Sequence, residues 1–335
     1  MKTPLLRCSW KRYLRQFRTP VRTATGVYRK RDGIVLKISD GSGKTGHGEI
    51  APWPGFGGEL LADAEEFLRN AEGEFANEGW NILENPLLDG LPCTRAALSM
   101  AKGWADGWAN MPQLVESVQS AGLLQSGGLA VESLCILRDR GISVFKWKVG
   151  IGTAAEEVQI AKALLSQMRG KEKLRLDANG MLVDLTPWRP VLEDPRLEYF
   201  EQPYLPGRML QEVFDDGIAC KIGLDESISS NSTLPEEWPG FVIVKPLHLG
   251  CWEKFLEWRK RTTTPVVYSS VFETAIGREA MLKLTFGDER VDAFAQGFGT
   301  LGMLVHDAYE VHPGGVTVRP LNWTPSQWEI WWDSI

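Results

Sequence analysis

Hydrophobic and polar positions divide the chain into two parts with different periods. Up to about residue 53, apolar and polar residues alternate in runs separated by polar turns, as in TGVYRKRDGIVLKI, SDGSGKTG and HGEIAPW, which predicts strands and hairpins. The next segments, ADAEEFLRNAEGEFANEGW and TRAALSMAKGWADGWAN, repeat apolar residues every three or four positions, the spacing of amphipathic helices. The chain therefore opens with an α+β unit.

Beyond residue 115, short apolar runs alternate with helical stretches. The runs are SVFKWKVG, KLRLDANG, LEYFEQP, CKIGLDES, GFVIVKP, TPVVYSSV and VDAFAQGFGT. The helices predicted between them include 153–168, 185–193, 250–261 and 274–286. Repeated alternation of strand and helix indicates an α/β fold with a parallel sheet, and seven or eight such short units favour a closed barrel over an open doubly wound sheet.

This pattern predicts a modified TIM barrel of the (β/α)7β type with an N-terminal α+β capping domain. We expect the cap over residues 1–95 and the catalytic barrel over residues 96–305. The last stretch, 306–335, is rich in Trp, and we expect it to pack back on the capping domain.

Composition excludes several classes of protein. The 335 residues are 43% hydrophobic and 24% charged, as in a globular chain, and no apolar run reaches the ~18 residues that a membrane span needs. Five scattered cysteines without a C-x-x-C pair argue against a disulfide framework and a zinc site. The charged N-terminus does not resemble a secretory signal, so the expected location is the cytoplasm.

Charge is distributed unevenly along the chain. The net charge is −6, yet residues 1–31 contain ten Lys or Arg and no Asp or Glu. Such a segment is unlike the basic face of a nucleic-acid-binding protein, so no nucleic-acid partner is expected. The segment is either a solvated edge strand or an electropositive flap that attracts an anionic substrate. In the second interpretation, the attracting residues are Arg18, Arg22, Arg29, Lys30 and Arg31.

Two glycine-rich motifs resemble phosphate-binding loops but lack the required context. GSGKT at 41–45 would need a glycine where Ile38 stands, so it is interpreted as a hairpin turn. GIGTAA at 150–155 follows a strand and opens a helix, as a dinucleotide-binding motif does. However, the preceding strand contains Lys146 and Lys148, whereas the first strand of such a fold is an uninterrupted apolar run.

The candidate chemistry lies where the apolar runs end. The polar residues at these ends follow one another at intervals of 20–29 positions: Lys148, Asp177, Glu201, Asp225, Lys245 and Ser269. Because the carboxyl ends of barrel strands converge on one mouth, three carboxylates flanked by lysines meet there. Each acid alone could cap a helix or a turn, but three together need a cation. Oxygen ligands without His or Cys favour a hard cation such as Mg²⁺.

The lysines supply acid–base chemistry. Lys146 and Lys148 lie two positions apart and therefore on the same side of their strand. A neighbouring cation favours the neutral form of a lysine, whose pKa can then fall to about 7–8 and allow it to act as a base. Lys148 and Lys245 would face a metal-bound carboxylate from opposite sides. Removal of its α-proton gives an enediolate, which the metal and Lys245 would stabilise.

At these residues the chain resembles the enolase superfamily and, within it, the muconate-cycloisomerase-like branch. The motifs KWK, LRLDAN, EQP, LDES and VIVKP occur in the order of that branch. A mandelate-racemase-like member would have a His paired with Asp in place of Lys245, and His248 is interpreted as incidental. The segments TATGVYRKRDGIVLKI, GEIAPWPGF and SSVFETAIG are similar to the o-succinylbenzoate synthase family.

The resemblance implies a lyase that dehydrates 2-succinyl-6-hydroxy-2,4-cyclohexadiene-1-carboxylate, a small dicarboxylate, to 2-succinylbenzoate for menaquinone or phylloquinone. Lys148 would be the base and Lys245 the enolate-stabilising group, with Lys146 also catalytic. The implied ligands of Mg²⁺, or of Mn²⁺ in its place, are Asp177, Glu201 and Asp225. The implied substrate contacts are Asn179, Ser269, Ser270, Gly55 and Phe56. The oligomeric state is open, and a monomer is compatible with the sequence.

Two alternatives remain. An N-acylamino-acid racemase would use the same two lysines to remove and return a proton, and the barrel motifs do not separate it from the dehydratase. A non-catalytic binding protein is disfavoured because all five positions of the lysine–carboxylate set are chemically intact. Arg175, two residues before Asp177 on the same strand, would lie deeper in the barrel, as a structural ion pair or as a catalytic group.

Overall fold

A computed structural model describes the following residues: 5–23, 26–53, 59–107, 117–208, 213, 217–229, 234–300, 303–305 and 317–335. The chain begins with an antiparallel sheet of three strands: β1 (Leu6–Thr23), β2 (Gly26–Asp40) and β3 (Thr45–Ile50). The register of β1 on β2 shifts between Gln16 and Val21, a segment that contains Pro20, which lacks the N–H that a regular strand pair needs.

Helices cover this sheet. They are α1 (Leu61–Asn70), α2 (Glu72–Glu78) and α3 (Pro92–Ala105), with 3₁₀ turns at Gly79–Glu84 and Pro86–Gly90. β3 carries glycine at 46 and 48 because α3 packs directly on it: a Cβ added at Gly46 would lie 1.8 Å from the carbonyl oxygen of Ala101. The GSGKT motif forms the turn between β2 and β3, as predicted.

A parallel sheet follows. Among the described residues it has seven strands, and their order in the sheet is their order along the chain. They are β5 (Gly122–Leu123), β6 (Val144–Lys148), β7 (Lys173–Asp177), β8 (Leu197–Glu201), β9 (Ile222–Leu224), β10 (Phe241–Val244) and β11 (Val266–Tyr268). Parallel bridges from Gln296 to Ser120 and from Gly297 to Ser269 join the two edges. These bridges close the sheet and confirm the predicted barrel, although the run VDAFAQGFGT forms only a 3₁₀ turn, Val291–Ala293, and these bridges.

Helices surround the barrel. They are α4 (Ala130–Asp139), α5 (Ala154–Gln167), α6 (Arg189–Leu192), α7 (Glu226–Ser229), α8 (Trp252–Arg261) and α9 (Ala275–Phe286). Further 3₁₀ turns lie at Gly127–Leu129, Thr186–Trp188, Ala219–Lys221 and Pro246–His248. The predicted helix over 185–193 is thus a 3₁₀ turn followed by one helical turn, because Pro187 and Pro190 provide no N–H for a longer hydrogen-bonded ladder.

The C-terminal segment returns to the first sheet. β12 (Thr317–Val318) pairs with β4 (Val118–Gln119), and α10 (Pro325–Asp333) follows. Lys11 Nζ in β1 donates to the carbonyl of Trp332 at 2.8 Å, and the rings of Trp328 and Trp104 meet edge to face. The predicted boundary between 95 and 96 falls within α3, and the three-part division stays a prediction. None of the described helices is long and apolar enough to cross a membrane.

Candidate active site

The polar residues at the strand ends line one cavity of about 630 Å³ at the mouth of the barrel: Lys146, Lys148, Asp177, Glu201, Asp225 and Lys245. The register of the sheet brings them together. Lys148 is the cross-strand partner of Asp177, and Asp177 is the partner of Glu201. Alternate side chains of a strand point to the same face of the sheet, and these side chains point into the barrel. The alternation that fills the barrel interior therefore also places the residues of the site.

Each carboxylate of the predicted metal set contacts a lysine. Lys146 Nζ lies 2.9 Å from Asp177 Oδ2 and donates to Glu201 Oε1 at 2.7 Å. Lys148 Nζ lies 3.2 Å from Asp177 Oδ2, and Lys245 Nζ forms an ion pair with Asp225 Oδ1. The structure therefore brings all six side chains into one cavity, as a network of Lys148, Asp177, Lys146 and Glu201 and a separate ion pair of Lys245 with Asp225.

Burial and mutual charge shift the protonation equilibria of this network. Burial and the charge of Asp177 raise the pKa of Glu201 to about 7. Burial acts to raise the pKa of Asp177, but the charges of Lys146 and Lys148 outweigh it and lower that pKa. Burial opposes the charged form of Lys146, yet Asp177 and Glu201 raise its pKa well above its usual value. These neighbours therefore favour the charged form of Lys146.

Glu201 carries the clearest unsatisfied group of the cavity. Its side chain is fully buried, and Oε2 has no hydrogen-bond partner among the described residues. In that part of the chain, no three acidic, histidine or cysteine side chains form a ready cage for an ion, since the carboxylates turn toward lysines. The donors nevertheless suit a hard cation: they are all oxygens, and a cation would satisfy Oε2 and relieve the repulsion between Asp177 and Glu201.

Asn179 contacts the lysine rather than standing alone in the cavity wall. Its Oδ1 accepts a hydrogen bond from Lys148 Nζ at 2.8 Å, and its Nδ2 donates to Glu226 Oε1 at 3.0 Å. Sequence reasoning missed Glu226, although it stands beside Asp225 in the LDES motif. It lines the same cavity and is buried. The sequence signal for Glu226 is that it directly follows Asp225, an acid at the end of a strand.

The two predicted serines differ in their surroundings. Ser269 lines the cavity and is bridged to Gly297. The hydroxyl of Ser270 donates to Glu273 Oε2 at 2.9 Å and accepts from Arg278 Nη2 at 2.9 Å. Because its one proton is engaged inside the protein, Ser270 can offer a substrate little as a donor. The other two predicted substrate contacts, Gly55 and Phe56, lie outside the described residues.

One residue of the basic segment has a structural place. Arg31 is 1% exposed, and its guanidinium donates to the carbonyls of Ala51 at 2.5 Å, Pro52 at 2.6 Å and Phe272 at 3.3 Å. It therefore ties the cap to the loop after β11 and cannot serve as an exposed attractor, which corrects the prediction for this position. Arg18, Arg29 and Lys30 are exposed, and the side chain of Arg22 lies outside the described set.

Aromatic side chains next to the contacts of Arg31 form the side of the cavity that faces the cap. Trp53 and Phe272 both line it, with ring centroids 4.8 Å apart. Phe17 packs edge-on against Phe272 at 5.3 Å. The cavity thus has a charged floor at the strand ends and an apolar roof, an arrangement suited to a flat molecule with a carboxylate.

The glycine-rich loop after β6 binds a carboxylate of the protein itself. Glu157 is buried, and its carboxylate accepts hydrogen bonds from the backbone N–H groups of Gly150, Ile151 and Gly152 at 2.8–3.0 Å. The three amides that would bind a phosphate in a dinucleotide site are engaged by this carboxylate. The resemblance of GIGTAA to such a site is therefore local only.

Arg175 and His248 both have structural partners. Arg175 Nε donates to Glu198 Oε2 at 2.6 Å, and its Nη2 donates to the carbonyl of Ala295 at 2.7 Å, which links β7 to the segment that closes the barrel. His248 Nε2 lies 2.9 Å from the carbonyl of Ala51. Since a carbonyl only accepts, this nitrogen carries the proton. His248 thus faces the cap, consistent with the interpretation that it is incidental to the lysine site.

A closed parallel barrel with an N-terminal cap and with lysines and carboxylates at successive strand ends defines a member of the enolase superfamily. The model of the MenC N-terminal domain matches residues 12–109. An o-succinylbenzoate synthase from Thermosynechococcus vestitus is 33% identical over 295 residues, which cover 83% of this chain and 88% of that relative. The chain belongs to the o-succinylbenzoate synthase family.

Solved structures agree with this assignment. The crystal structure of o-succinylbenzoate synthase from Thermosynechococcus elongatus, complexed with Mg in the active site, superposes with a TM-score of 0.77 at 27% identity and covers 98% of this chain and 100% of that one. The N-succinyl Arg/Lys racemase from Bacillus cereus has the same TM-score, 0.77, at 17% identity, and covers 95% of this chain and 93% of its own. At that identity the second likeness concerns the fold alone.

Proposed function

We propose that this chain is an o-succinylbenzoate synthase, a hydro-lyase that converts 2-succinyl-6-hydroxy-2,4-cyclohexadiene-1-carboxylate and releases water. The observation that carries the proposal is the pair of lysines, Lys148 on β6 and Lys245 after β10, on either side of three carboxylates in one cavity. Family membership supports the substrate, and the charged floor with its apolar roof suits a flat dicarboxylate. The product serves menaquinone or phylloquinone synthesis.

In the proposed reaction, Lys148 takes the proton from the carbon that bears the ring carboxylate. Asn179 accepts a hydrogen bond from Lys148 Nζ and so orients it toward the cavity. The proton then passes to the departing hydroxyl, and the ring becomes aromatic as water leaves. Lys245 stabilises the negative charge on the carboxylate oxygens, and the positive charge of Lys146, favoured by Asp177 and Glu201, adds to that field.

Asp177, Glu201 and Asp225 are the residues that would hold Mg²⁺. A bound Mg²⁺ supplies positive charge to the carboxylate of the substrate as its α-carbon loses a proton. Support comes from the all-oxygen donor set and from the unsatisfied Oε2 of Glu201. Mn²⁺ favours the same ligands and is expected to substitute. Five free cysteines are consistent with a reducing compartment, and we place the protein in the cytoplasm.

The test follows the loss of the conjugated-diene absorbance of the substrate, with Mg²⁺, with Mn²⁺ and with a chelator. We expect rapid decay with either metal and none with the chelator. A parallel assay measures racemisation of N-succinyl amino acids, since two opposed lysines also suit that reaction. Racemisation without diene loss would replace the proposed reaction by the racemase, and no activity in either assay would overturn both.

A further inference from the structure

Gln202 directly follows Glu201, and its side chain is fully buried. Its Oε1 accepts hydrogen bonds from the backbone N–H of Asp225 at 3.0 Å and of Ser227 at 3.1 Å. Its Nε2 donates to the carbonyl of Tyr204 and to Ser227 Oγ, both at 2.8 Å. A glutamine amide offers two acceptor and two donor positions, so the capacity of this side chain is used completely.

The backbone of Gln202 joins the same neighbours. Its N–H donates to the carbonyl of Gly223 at 2.8 Å, and its carbonyl accepts from the N–H of Gly180 at 2.7 Å. Its φ of 39° lies in the left-handed region, which costs a residue with a side chain of this size conformational energy. The strained backbone thus connects the loop after β7 with strand β9, while the side chain reaches the loop after β9. Gln202 therefore joins the three strands whose ends present the carboxylates.

We infer that Gln202 is a positioning residue for the proposed metal site. Its side chain fixes the backbone of Asp225 relative to that of Glu201, and thereby sets how two of the three carboxylates meet one ion. It does not line the cavity, so it does not touch substrate. The inference rests on the proposed function, because it assigns these carboxylates to Mg²⁺. Partners behind metal ligands typically change metal affinity tenfold or more.

The chain provides a matched control in Gln296. This glutamine is also fully buried; its Oε1 accepts from the N–H of Tyr268 at 2.7 Å, and its Nε2 donates to the carbonyls of Val291 and Phe294 at 2.9 and 2.7 Å. It sits where the barrel closes and contacts none of the three carboxylates. Loss of either amide costs hydrogen bonds of the same kind, but only Gln202 adjoins the metal site.

The experiment titrates Mg²⁺ alone into the full chain by calorimetry, for the wild type, Gln202→Met and Gln296→Met. We expect the Kd for Mg²⁺ to rise about tenfold or more in Gln202→Met and to change less than about twofold in Gln296→Met. Thermal unfolding should move to lower temperature in both. Equal Mg²⁺ affinity in all three proteins, or equal weakening in both variants, would overturn the inference.

A second variant covers the case in which Gln202→Met does not fold. Ser227→Ala removes one partner of the amide and leaves the other three contacts, so a rise of about threefold in the Kd for Mg²⁺ is expected, less than the tenfold or more that loss of a whole partner typically causes. Unchanged affinity there would also contradict the positioning role. If the wild type dehydrates its substrate with Mg²⁺ while the variants bind Mg²⁺ normally, the inference alone fails. A wild type that binds no Mg²⁺ overturns the inference and the proposed metal site together.

Discussion

Two regions of this protein bury charge at the same end of the barrel, and they do so in opposite ways. At the junction of cap and barrel, Glu49 accepts hydrogen bonds from Tyr13, from the N–H and hydroxyl of Thr274, and from the N–H of Gly277, at 2.6–3.0 Å. At the mouth, Glu201 has a lysine on one oxygen and no partner on the other among the described residues. Burial raises the pKa of both carboxyls.

The difference distinguishes charged groups that stabilise the fold, at the junction, from charged groups that are arranged to bind a ligand, at the mouth. Glu49 and Arg31 are satisfied by neutral groups of the chain, so nothing from outside is needed, and their removal should leave buried donors and acceptors unpaired. The carboxylates of the mouth repel one another and depend on lysines, so their arrangement costs stability unless a cation joins them. Variants in the two regions should therefore affect different measurements.

The largest effect is expected for Lys148→Ala, at the mouth. Loss of the base should lower kcat about 1000-fold or more, whereas the free energy of unfolding should fall less than in the junction variant below because Asp177 keeps its contact with Lys146. Diene absorbance and thermal unfolding measure the two quantities. Activity within tenfold of the wild type would remove Lys148 from the proposed mechanism.

Arg31→Met should produce the reverse pattern at the junction. The guanidinium serves buried carbonyls of both cap and barrel, so its loss should lower the free energy of unfolding by about 3 kcal/mol, measured by urea denaturation. Arg12→Met is the control, since Arg12 lies on the neighbouring strand with its side chain 56% exposed and should cost less than about 1 kcal/mol. Equal losses in the two variants would contradict the assignment.

His248 gives the junction a dependence on pH. Burial, with the charges of Lys245 and Arg31, lowers its pKa to about 3 despite the hydrogen bond to Ala51. The unfolded chain takes up this proton near pH 6.5, so the stabilisation is complete above pH 6.5 and is lost as the pH falls toward 3. From pH 6.5 to 5 the loss is about 2 kcal/mol.

The variant His248→Gln tests this dependence because its amide can still donate to the carbonyl of Ala51 but does not titrate. The free energy of unfolding of the wild type, minus that of the variant, should fall by about 2 kcal/mol between pH 6.5 and 5. Other titrating groups cancel in this difference. Parallel curves for the two proteins would mean that His248 is protonated equally in both states.

The two regions also differ in how far the sequence could predict them. The residues of the mouth can be predicted from a local pattern, because each apolar run ends in a polar residue. The barrel brings those strand ends together, as it does for Asp177, Glu201 and Asp225. The junction has no such rule, since Glu49 and Thr274 are 225 positions apart and meet only because the cap folds back on the barrel. For that reason the sequence alone groups Arg31 with the exposed basic residues, and the EQP motif does not predict the amide contacts of Gln202.

The smallest expected effect concerns the exposed remainder of the basic segment. Arg29 and Lys30 lie on β2 beside Tyr28, which packs on the cavity residue Trp53, so their charge can guide a dianion toward the mouth. Arg29→Glu with Lys30→Glu should lower kcat/KM about fivefold at low ionic strength, and the difference should vanish near 0.5 M salt because exposed charges are then screened. Lys254→Glu with Lys260→Glu, the same charge change on α8, should have less than a twofold effect. If both double variants respond alike, the net charge of the protein, and not the position of the basic segment, governs association with the substrate. The segment would then be a solvated edge strand and not a flap that attracts an anionic substrate.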